Sequence, residues 1–156
     1  MAVEIVPWRP ELREHFERVN RIWLEAFDLL EEGDVVYLQR PEDMILAGGG
    51  EVFFALEGDR VIGTCAAIWR SGTELELAKL GVVPEAQSRG VGRRLCETVI
   101  DLARRSGATR VVLTSNHKLT AALRLYRALG FRDAPVPEGL PWTTVDVYMT
   151  LELERA

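Results

Sequence analysis

The sequence has 156 residues, of which 47% are apolar and 28% are charged, values typical of one globular domain with a buried core. Its net charge of −5 argues against a nucleic-acid-binding protein, because such proteins need a concentrated basic surface to meet phosphates. No apolar run approaches the roughly 18 residues that a membrane span requires, so no membrane partner is expected.

Cysteines and histidines are scarce, and their spacing fits no metal-binding motif. The chain contains Cys65, Cys96, His15 and His117, none of them in a C-x-x-C or H-x-x-x-H arrangement. Residues 1–9 include an acid and a proline where a secretory signal requires a continuous apolar run. We therefore expect a reduced, cytoplasmic protein without a bound metal, in which both cysteines are buried in the core.

The first half of the chain predicts a strand, two helices and a three-stranded meander. Residues 3–6 are typical of a strand, and apolar residues at helical spacing from Leu12 to Phe27 predict an amphipathic helix. A short second helix is predicted from Pro41 to Leu46, after an acidic connection over residues 26–39. Three strands separated by turns then form a predicted antiparallel meander: 51–56, 61–69 and 73–83.

The second half of the chain predicts the order helix, strand, helix, strand. Residues 92–105 and 120–129 each carry one apolar face and end before a glycine, as helices often do. A β-branched strand over 110–114 separates them, and the last strand covers 144–153 after a proline-rich loop. Because no repeat or linker divides the chain, we expect a single domain, residues 1–156, of the mixed α/β class with helices covering a sheet.

The segment from Leu80 to Leu95 places a glycine-bearing turn between a strand and an amphipathic helix. Helix N-termini offer unpaired N–H groups to anions, and Gly90 and Gly92 let the backbone approach a phosphate closely. The spacing is not that of a Walker A motif, nor of the dinucleotide fingerprint, because Leu95 stands where a third glycine is required. By itself the pattern is equally compatible with a structural turn.

Two motifs in order resemble the hallmarks of the GCN5-related N-acetyltransferase family. Gln87-x-x-Gly90-x-Gly92 follows a strand ending in Val-Val-Pro-Glu and is similar to the family's pyrophosphate-binding motif. Asn116 then follows the next strand and precedes an Ala-x-x-Leu-Tyr-x-x-x-Gly-Phe segment that ends at Phe131. The resemblance implies a central mixed β-sheet with a splayed strand pair, flanked by helices. It also implies an N-acetyltransferase that moves an acetyl group from acetyl-CoA to an amine.

The resemblance further implies where acetyl-CoA binds. The splayed pair would be residues 73–83 and 110–115, with the pantetheine arm inserted between them. Backbone groups of Leu80 and Val82 would pair with pantetheine, and an N–H near Leu80 or Gly81 would polarise the acetyl carbonyl. The residues assigned to the cofactor on this basis are Leu80, Gly81, Val82, Val83, Gln87, Ser88, Arg89, Gly90, Val91, Gly92, Arg93, Asn116 and Tyr126.

Tyr126 is the catalytic residue that the resemblance implies, with its phenol protonating the departing CoA thiolate as a general acid. The alternative is a core tyrosine, since Tyr126 lies on the apolar stripe of its helix. Asn116 would contact pantetheine or an ordered water, or would simply end a strand. Neither Cys65 nor Cys96 has the setting of a nucleophile, so direct transfer to the amine is expected rather than an acetyl-cysteine intermediate.

Glu76 is the candidate general base for the amine's proton. Strand parity places Glu74 and Glu76 on one face with Ala78, and places Leu77 and Lys79 on the other. Glu76 is the carboxylate of that face nearest the acetyl-binding segment. The alternative is a solvated strand carboxylate without a catalytic role.

The acceptor is not identified by any motif, and small-molecule amines and protein amines both fit. Four acidic residues in the connection could attract a cationic amine or could simply be solvated: Asp28, Glu31, Glu32 and Asp34. A non-catalytic acyl-CoA sensor is the alternative function, and a regulatory nucleic-acid-binding domain is disfavoured by the acidic balance. A homodimer is compatible with these observations.

Overall fold

The computed structural model describes residues 2–154. Its centre is a seven-stranded mixed sheet in the order β1-β2-β3-β4-β5-β7-β6. The strands are β1 (Val3–Val6), β2 (Glu51–Glu57), β3 (Arg60–Trp69), β4 (Glu74–Val82), β5 (Arg110–Ser115), β6 (Arg132–Ala134) and β7 (Val147–Glu152). The helices are α1 (Arg13–Ala26), α2 (Glu32–Gln39), α3 (Pro41–Met44), α4 (Val91–Arg105) and α5 (Thr120–Ala128).

The predicted three-stranded meander is confirmed, because β2, β3 and β4 pair antiparallel in sequence order. Strand β1 pairs antiparallel with β2 at its outer edge. Strands β4 and β5 are parallel, so the chain must cross over between them, and α4 makes that crossover. Gly63 and Gly81 show that the two faces of the sheet carry different helices. A Cβ on Gly63 would lie 3.1 Å from Leu95 of α4, whereas one on Gly81 would lie 3.0 Å from Trp23 of α1.

The expected splayed strand pair is present between β4 and β5. Their ladder consists of three pairs and ends at Glu76 opposite Val112. Strand β4 then runs on to Val82, while β5 continues to Ser115 with β7 as its partner. The backbone of β4 beyond Glu76 therefore borders a gap on its β5 side.

A β-bulge in β4 reverses the predicted direction of one side chain. Thr64 pairs with Gly81 and Ala66 with Ala78, so β4 carries one residue more than β3 over this stretch. Lys79 lies in the bulge with a left-handed backbone, φ 54°. Strict alternation predicted that Lys79 lies on the other face of the sheet from Glu76 and Ala78. That prediction is wrong, because the extra residue places the Lys79 side chain on the same face as Glu76 and Ala78.

Two elements were not predicted, and two were predicted too long. The helix expected over residues 41–46 ends at Met44 in α3. The acidic connection contains α2, whose start is closed by reciprocal hydrogen bonds between Glu31 and Asp34. Helix α2 has eight residues and no wide apolar stripe, so periodicity does not reveal it. Strand β6 has three residues, and β7 begins at Val147 rather than at residue 144.

The core lies on both faces of the sheet and includes both cysteines. Cys65 and Cys96 are buried and unpaired, as predicted. Between residues 2 and 154, no helix has the length and apolar character needed to cross a membrane. The largest side chains with almost no exposed surface are Phe16, Phe54, Leu38, Ile45, Ile62, Leu75, Leu95, Leu113 and Met149.

Candidate active site

A cleft of about 620 Å³, including the solvent at its mouth, opens where β4 and β5 separate. Its walls come from α1, α2, both splayed strands and the segment before β7. The charged and polar lining residues are Glu31, Asp34, Arg70, Glu76, Lys79, Thr114, Ser115, Asn116 and Thr144. The apolar and aromatic lining residues are Trp23, Leu24, Leu29, Tyr37, Ile68, Ala78, Leu119, Trp142 and Val145.

Glu76 is buried in this cleft and is held by an ion pair with Arg70. Nε of Arg70 donates to Oε1 of Glu76 at 2.8 Å, and Nη1 donates to the Tyr37 hydroxyl at 3.3 Å. Burial by itself lowers the pKa of the Arg70 guanidinium, but the hydrogen bond and charge of Glu76 outweigh burial and raise that pKa. Glu76 is thus not a solvated strand carboxylate, and its role as a base stays a prediction.

Lys79 and Asp34 form a second buried ion pair within the same cleft. Nζ of Lys79 also lies 4.9 Å from the ring centroid of Trp142 and 5.9 Å from that of Tyr37. Both distances are within the range of cation–π attraction. The Lys79 ammonium is therefore surrounded by one carboxylate and two aromatic rings.

Glu31 ties the segment before β7 to the start of α2. Its carboxylate accepts hydrogen bonds from the backbone N–H and hydroxyl of both Thr143 and Thr144, at 2.5 to 3.1 Å. Burial by itself raises the pKa of the Glu31 carboxyl, and these hydrogen bonds outweigh burial and lower it. Of the four acidic residues expected to attract an amine or to be solvated, Glu31 and Asp34 instead hold the cleft together.

Asn116 directly follows β5, and both the nitrogen and the oxygen of its side-chain amide contact backbone. Nδ2 donates to the Thr144 carbonyl at 2.6 Å, and Oδ1 accepts from the Lys118 N–H at 2.9 Å. These bonds join the turn before α5 to the segment before β7. The predicted contact of Asn116 with pantetheine stays a prediction.

The turn before α4 has the backbone expected of an anion site. Gly90 is the residue preceding α4 and has φ 79°, and Ser88 has φ 64°. No side chain caps this helix start, so its first N–H groups are available to a ligand. Arg89 is paired with Glu57, and Gln87 donates to the Val82 carbonyl at 3.1 Å. An anion bound at this turn would therefore be held mainly by backbone N–H groups.

Tyr126 lies in the core, on the buried side of α5. It is 7% exposed, and its ring meets Phe131 edge-on with centroids 5.9 Å apart. Burial raises the pKa of the Tyr126 phenol well above its ordinary value near 10, and the buried Cys96 and Cys65 thiols raise it further. Tyr126 is not a lining residue of the cleft. Its role as general acid stays a prediction.

Several cleft residues carry no signal in the sequence. Arg70 follows the end of β3, and Tyr37 lies on the unpredicted helix α2. Trp142 is near Lys79 only because the segment before β7 folds back over α2. A cleft assembled from segments so far apart in sequence has no local pattern from which to predict it.

The chain matches a family model, curated relatives and solved structures. The model described as Acetyltransferase (GNAT) family matches residues 11–131. The Xenopus laevis protein named "Probable N-acetyltransferase camello" is 34% identical over 98 residues, which cover 61% of this chain and 45% of that protein. The chain spans about half the length of the curated relatives it matches.

Two crystal structures share the fold over nearly the whole chain. An acetyltransferase of the GNAT family from Staphylococcus aureus Mu50 superimposes with a TM-score of 0.88 at 19% identity, covering 98% of this chain and 100% of that one. The PaiA N-acetyltransferase from Thermoplasma acidophilum, in complex with coenzyme A, superimposes with a TM-score of 0.77 at 17% identity. The match covers 98% of this chain and 100% of that one. Because the family model runs from α1 through α5 and includes both the split and the turn before α4, this chain belongs to the GNAT acetyltransferase family.

Proposed function

We propose that the chain transfers the acetyl group of acetyl-CoA directly to a primary amine. The observation that carries this proposal is the split between β4 and β5, which lies between the turn before α4 and the polar cleft. A phosphate-bearing ligand at the turn can extend an arm into the split and present its end to the cleft. The coenzyme A complex of PaiA and the family membership support acetyl-CoA as that ligand.

The β4 backbone supplies the polar contacts for the arm. Beyond Glu76 it has no partner on its β5 side among the described residues, so groups from Leu80 to Val82 can pair with pantetheine as a neighbouring strand would. An N–H near Leu80 or Gly81 then donates to the acetyl carbonyl as negative charge develops on it. The N–H groups of the α4 start bind the pyrophosphate.

In the transfer step, the amine nitrogen bonds to the acetyl carbon and the carbon–sulfur bond breaks. An amine of pKa about 10.4 is protonated at pH 7, and its deprotonation costs about 4–5 kcal/mol, so a base is needed. We assign that role to Glu76, which lies in the cleft beside the split. The departing thiolate takes the proton of the Tyr126 phenol, which is neutral at pH 7. Before the next turnover the tyrosinate regains a proton from solvent, and Glu76 releases the proton it took from the amine.

Direct transfer is favoured by the state of the two thiols. Burial raises the pKa of the Cys96 thiol to about 12 and raises that of Cys65 well above its ordinary range. A thiol that stays protonated is a poor nucleophile, so neither cysteine is suited to carry an acetyl intermediate.

Two further expectations from the sequence, a cytoplasmic location and a homodimer, stay predictions.

Release of free thiol from acetyl-CoA, measured with a panel of amines, tests the proposal. We expect saturable, amine-dependent release, with double-reciprocal lines that intersect as a ternary complex requires. Acetyl-CoA binding by calorimetry without thiol release for any amine would instead support a non-catalytic acyl-CoA sensor. Glu74→Gln is the matched control for Glu76 variants, because Glu74 lies two residues earlier on β4 and pairs with Arg110.

A further inference from the structure

Lys79 is a charged residue whose side chain the β4 bulge directs into the cleft. Its left-handed backbone, φ 54°, is uncommon for a residue other than glycine. Such a conformation persists only where the surrounding contacts hold it.

The surroundings of the Lys79 ammonium have the composition of a cation-binding site. The Asp34 carboxylate, 4% exposed, pairs with Nζ. The rings of Trp142 and Tyr37 lie 4.9 and 5.9 Å from the same atom. A carboxylate beside two aromatic rings attracts an organic ammonium by charge and by the cation–π effect together.

This site is built by contacts that do not involve Lys79. A Cβ on Gly33 would lie 2.6 Å from the Trp142 ring, so the ring packs directly on the start of α2. Glu31 holds the neighbouring Thr143 and Thr144 with four hydrogen bonds. Asp34 accepts from the Glu31 N–H at 2.8 Å through the oxygen that does not pair with Lys79. We expect the site to keep its shape when the lysine side chain is shortened.

We propose that Lys79 fills a cation subsite of the acceptor cleft with its own ammonium, and thereby selects acceptor amines that carry a single positive charge. The acceptor part rests on the acetyltransferase function proposed above. The charged lining residues are three carboxylates and two cations, namely Glu31, Asp34, Glu76, Arg70 and Lys79. The formal net charge of the lining is therefore −1, which one substrate ammonium neutralises. The remaining lining is largely apolar or aromatic, which suits an amine with an apolar body. A diamine would bring its second ammonium to a subsite that is already occupied.

A thermal-unfolding experiment tests the subsite without any turnover. Lys79→Ala removes a propylammonium-sized group and leaves the Asp34 carboxylate buried without its cation, which is a costly state. We expect propylammonium chloride to raise the Tm of this variant above its value in equimolar sodium chloride, with no such difference in the wild type.

The double variant Asp34→Asn/Lys79→Ala should lose the effect, because asparagine keeps an oxygen for the Glu31 N–H but carries no charge. An equal response of all three proteins would overturn the proposal. If Lys79→Ala does not fold by itself, its refolding yield in the two salts gives the same comparison.

A matched pair of acceptors tests the selection. Hexylamine and hexamethylenediamine have the same chain length and differ by one ammonium. We expect wild-type kcat/KM to favour hexylamine by at least about tenfold, the size of a modest charge effect in a desolvated site, and Lys79→Ala to narrow or reverse the ratio. A wild-type enzyme that uses both equally, after correction for the two amines of the diamine, would refute the selection. Absence of any acetyl transfer would instead refute the enzyme function, and the thermal experiment would still report on the subsite.

Discussion

Replacing Tyr126 by phenylalanine separates the effect of its hydroxyl from that of its ring. The ring is 7% exposed and packs against Phe131, and phenylalanine keeps these contacts. Burial and two neighbouring thiols, rather than a hydrogen bond to a described residue, raise the pKa of the hydroxyl. Since a typical hydrogen bond contributes only about 1 kcal/mol and none is lost here, we expect the free energy of unfolding to change by less than that.

Turnover should respond very differently from stability. If Tyr126 protonates the CoA thiolate, Tyr126→Phe should lower kcat by about 10²–10⁴-fold, equivalent to about 2.7–5.4 kcal/mol in activation free energy. The assay is thiol release at saturating acetyl-CoA and amine, with calorimetry to show that acetyl-CoA still binds. An unchanged kcat, with chemistry shown to be rate-limiting by single-turnover kinetics, would leave Tyr126 as a core residue only.

The raised pKa of Tyr126 also sets the sign of a pH effect. The neutral phenol is the donor, and it persists at every pH below its pKa. Because burial raises that pKa well above 10, the wild-type rate should not decline below about pH 10 through loss of this proton. A descending limb with a midpoint below 10 that disappears in Tyr126→Phe would contradict the raised pKa, whereas the same limb in both proteins would belong to another group.

Three further variants test the base, the cofactor turn and the packing of the cleft. Glu76→Gln should suppress kcat/KM most at low pH and least near the amine's own pKa, where neutral amine is abundant; an unchanged pH–rate profile would place the base elsewhere. Gly92→Ala should raise the Kd of acetyl-CoA by about tenfold or more, although its Cβ would sit at an ordinary 3.5 Å from the nearest side chain; wild-type affinity in calorimetry would argue against this turn as the phosphate site. Gly33→Ala should lower Tm, because its Cβ would lie 2.6 Å from Trp142, whereas Gly72→Ala meets no atom within 4 Å and is the control; equal melting of the two variants would show that the ring moves freely.

Local pattern is sufficient for the elements with a long apolar face or a decisive turn residue. The predicted helices over 92–105 and 120–129 match α4 and α5 to within one residue at each end. The glycines after them, Gly107 and Gly130, have the left-handed φ values of 80° and 102° that favour glycine at a helix end. The order of the two family motifs likewise indicates the family from sequence, and the comparison with the family model confirms it.

The sequence by itself thus determines the apolar faces and the turns, because each of these depends on residues only a few positions apart. It also indicates the family, because the order of the two motifs can be read along the chain. The tertiary structure alone decides the charge and shape of the cleft. Glu31 meets Thr143 and Thr144, more than a hundred residues away, and Asp34 meets Lys79 across 45 positions. One extra residue in β4 decides which face Lys79 occupies, since alternation along a strand is lost wherever a bulge interrupts the ladder.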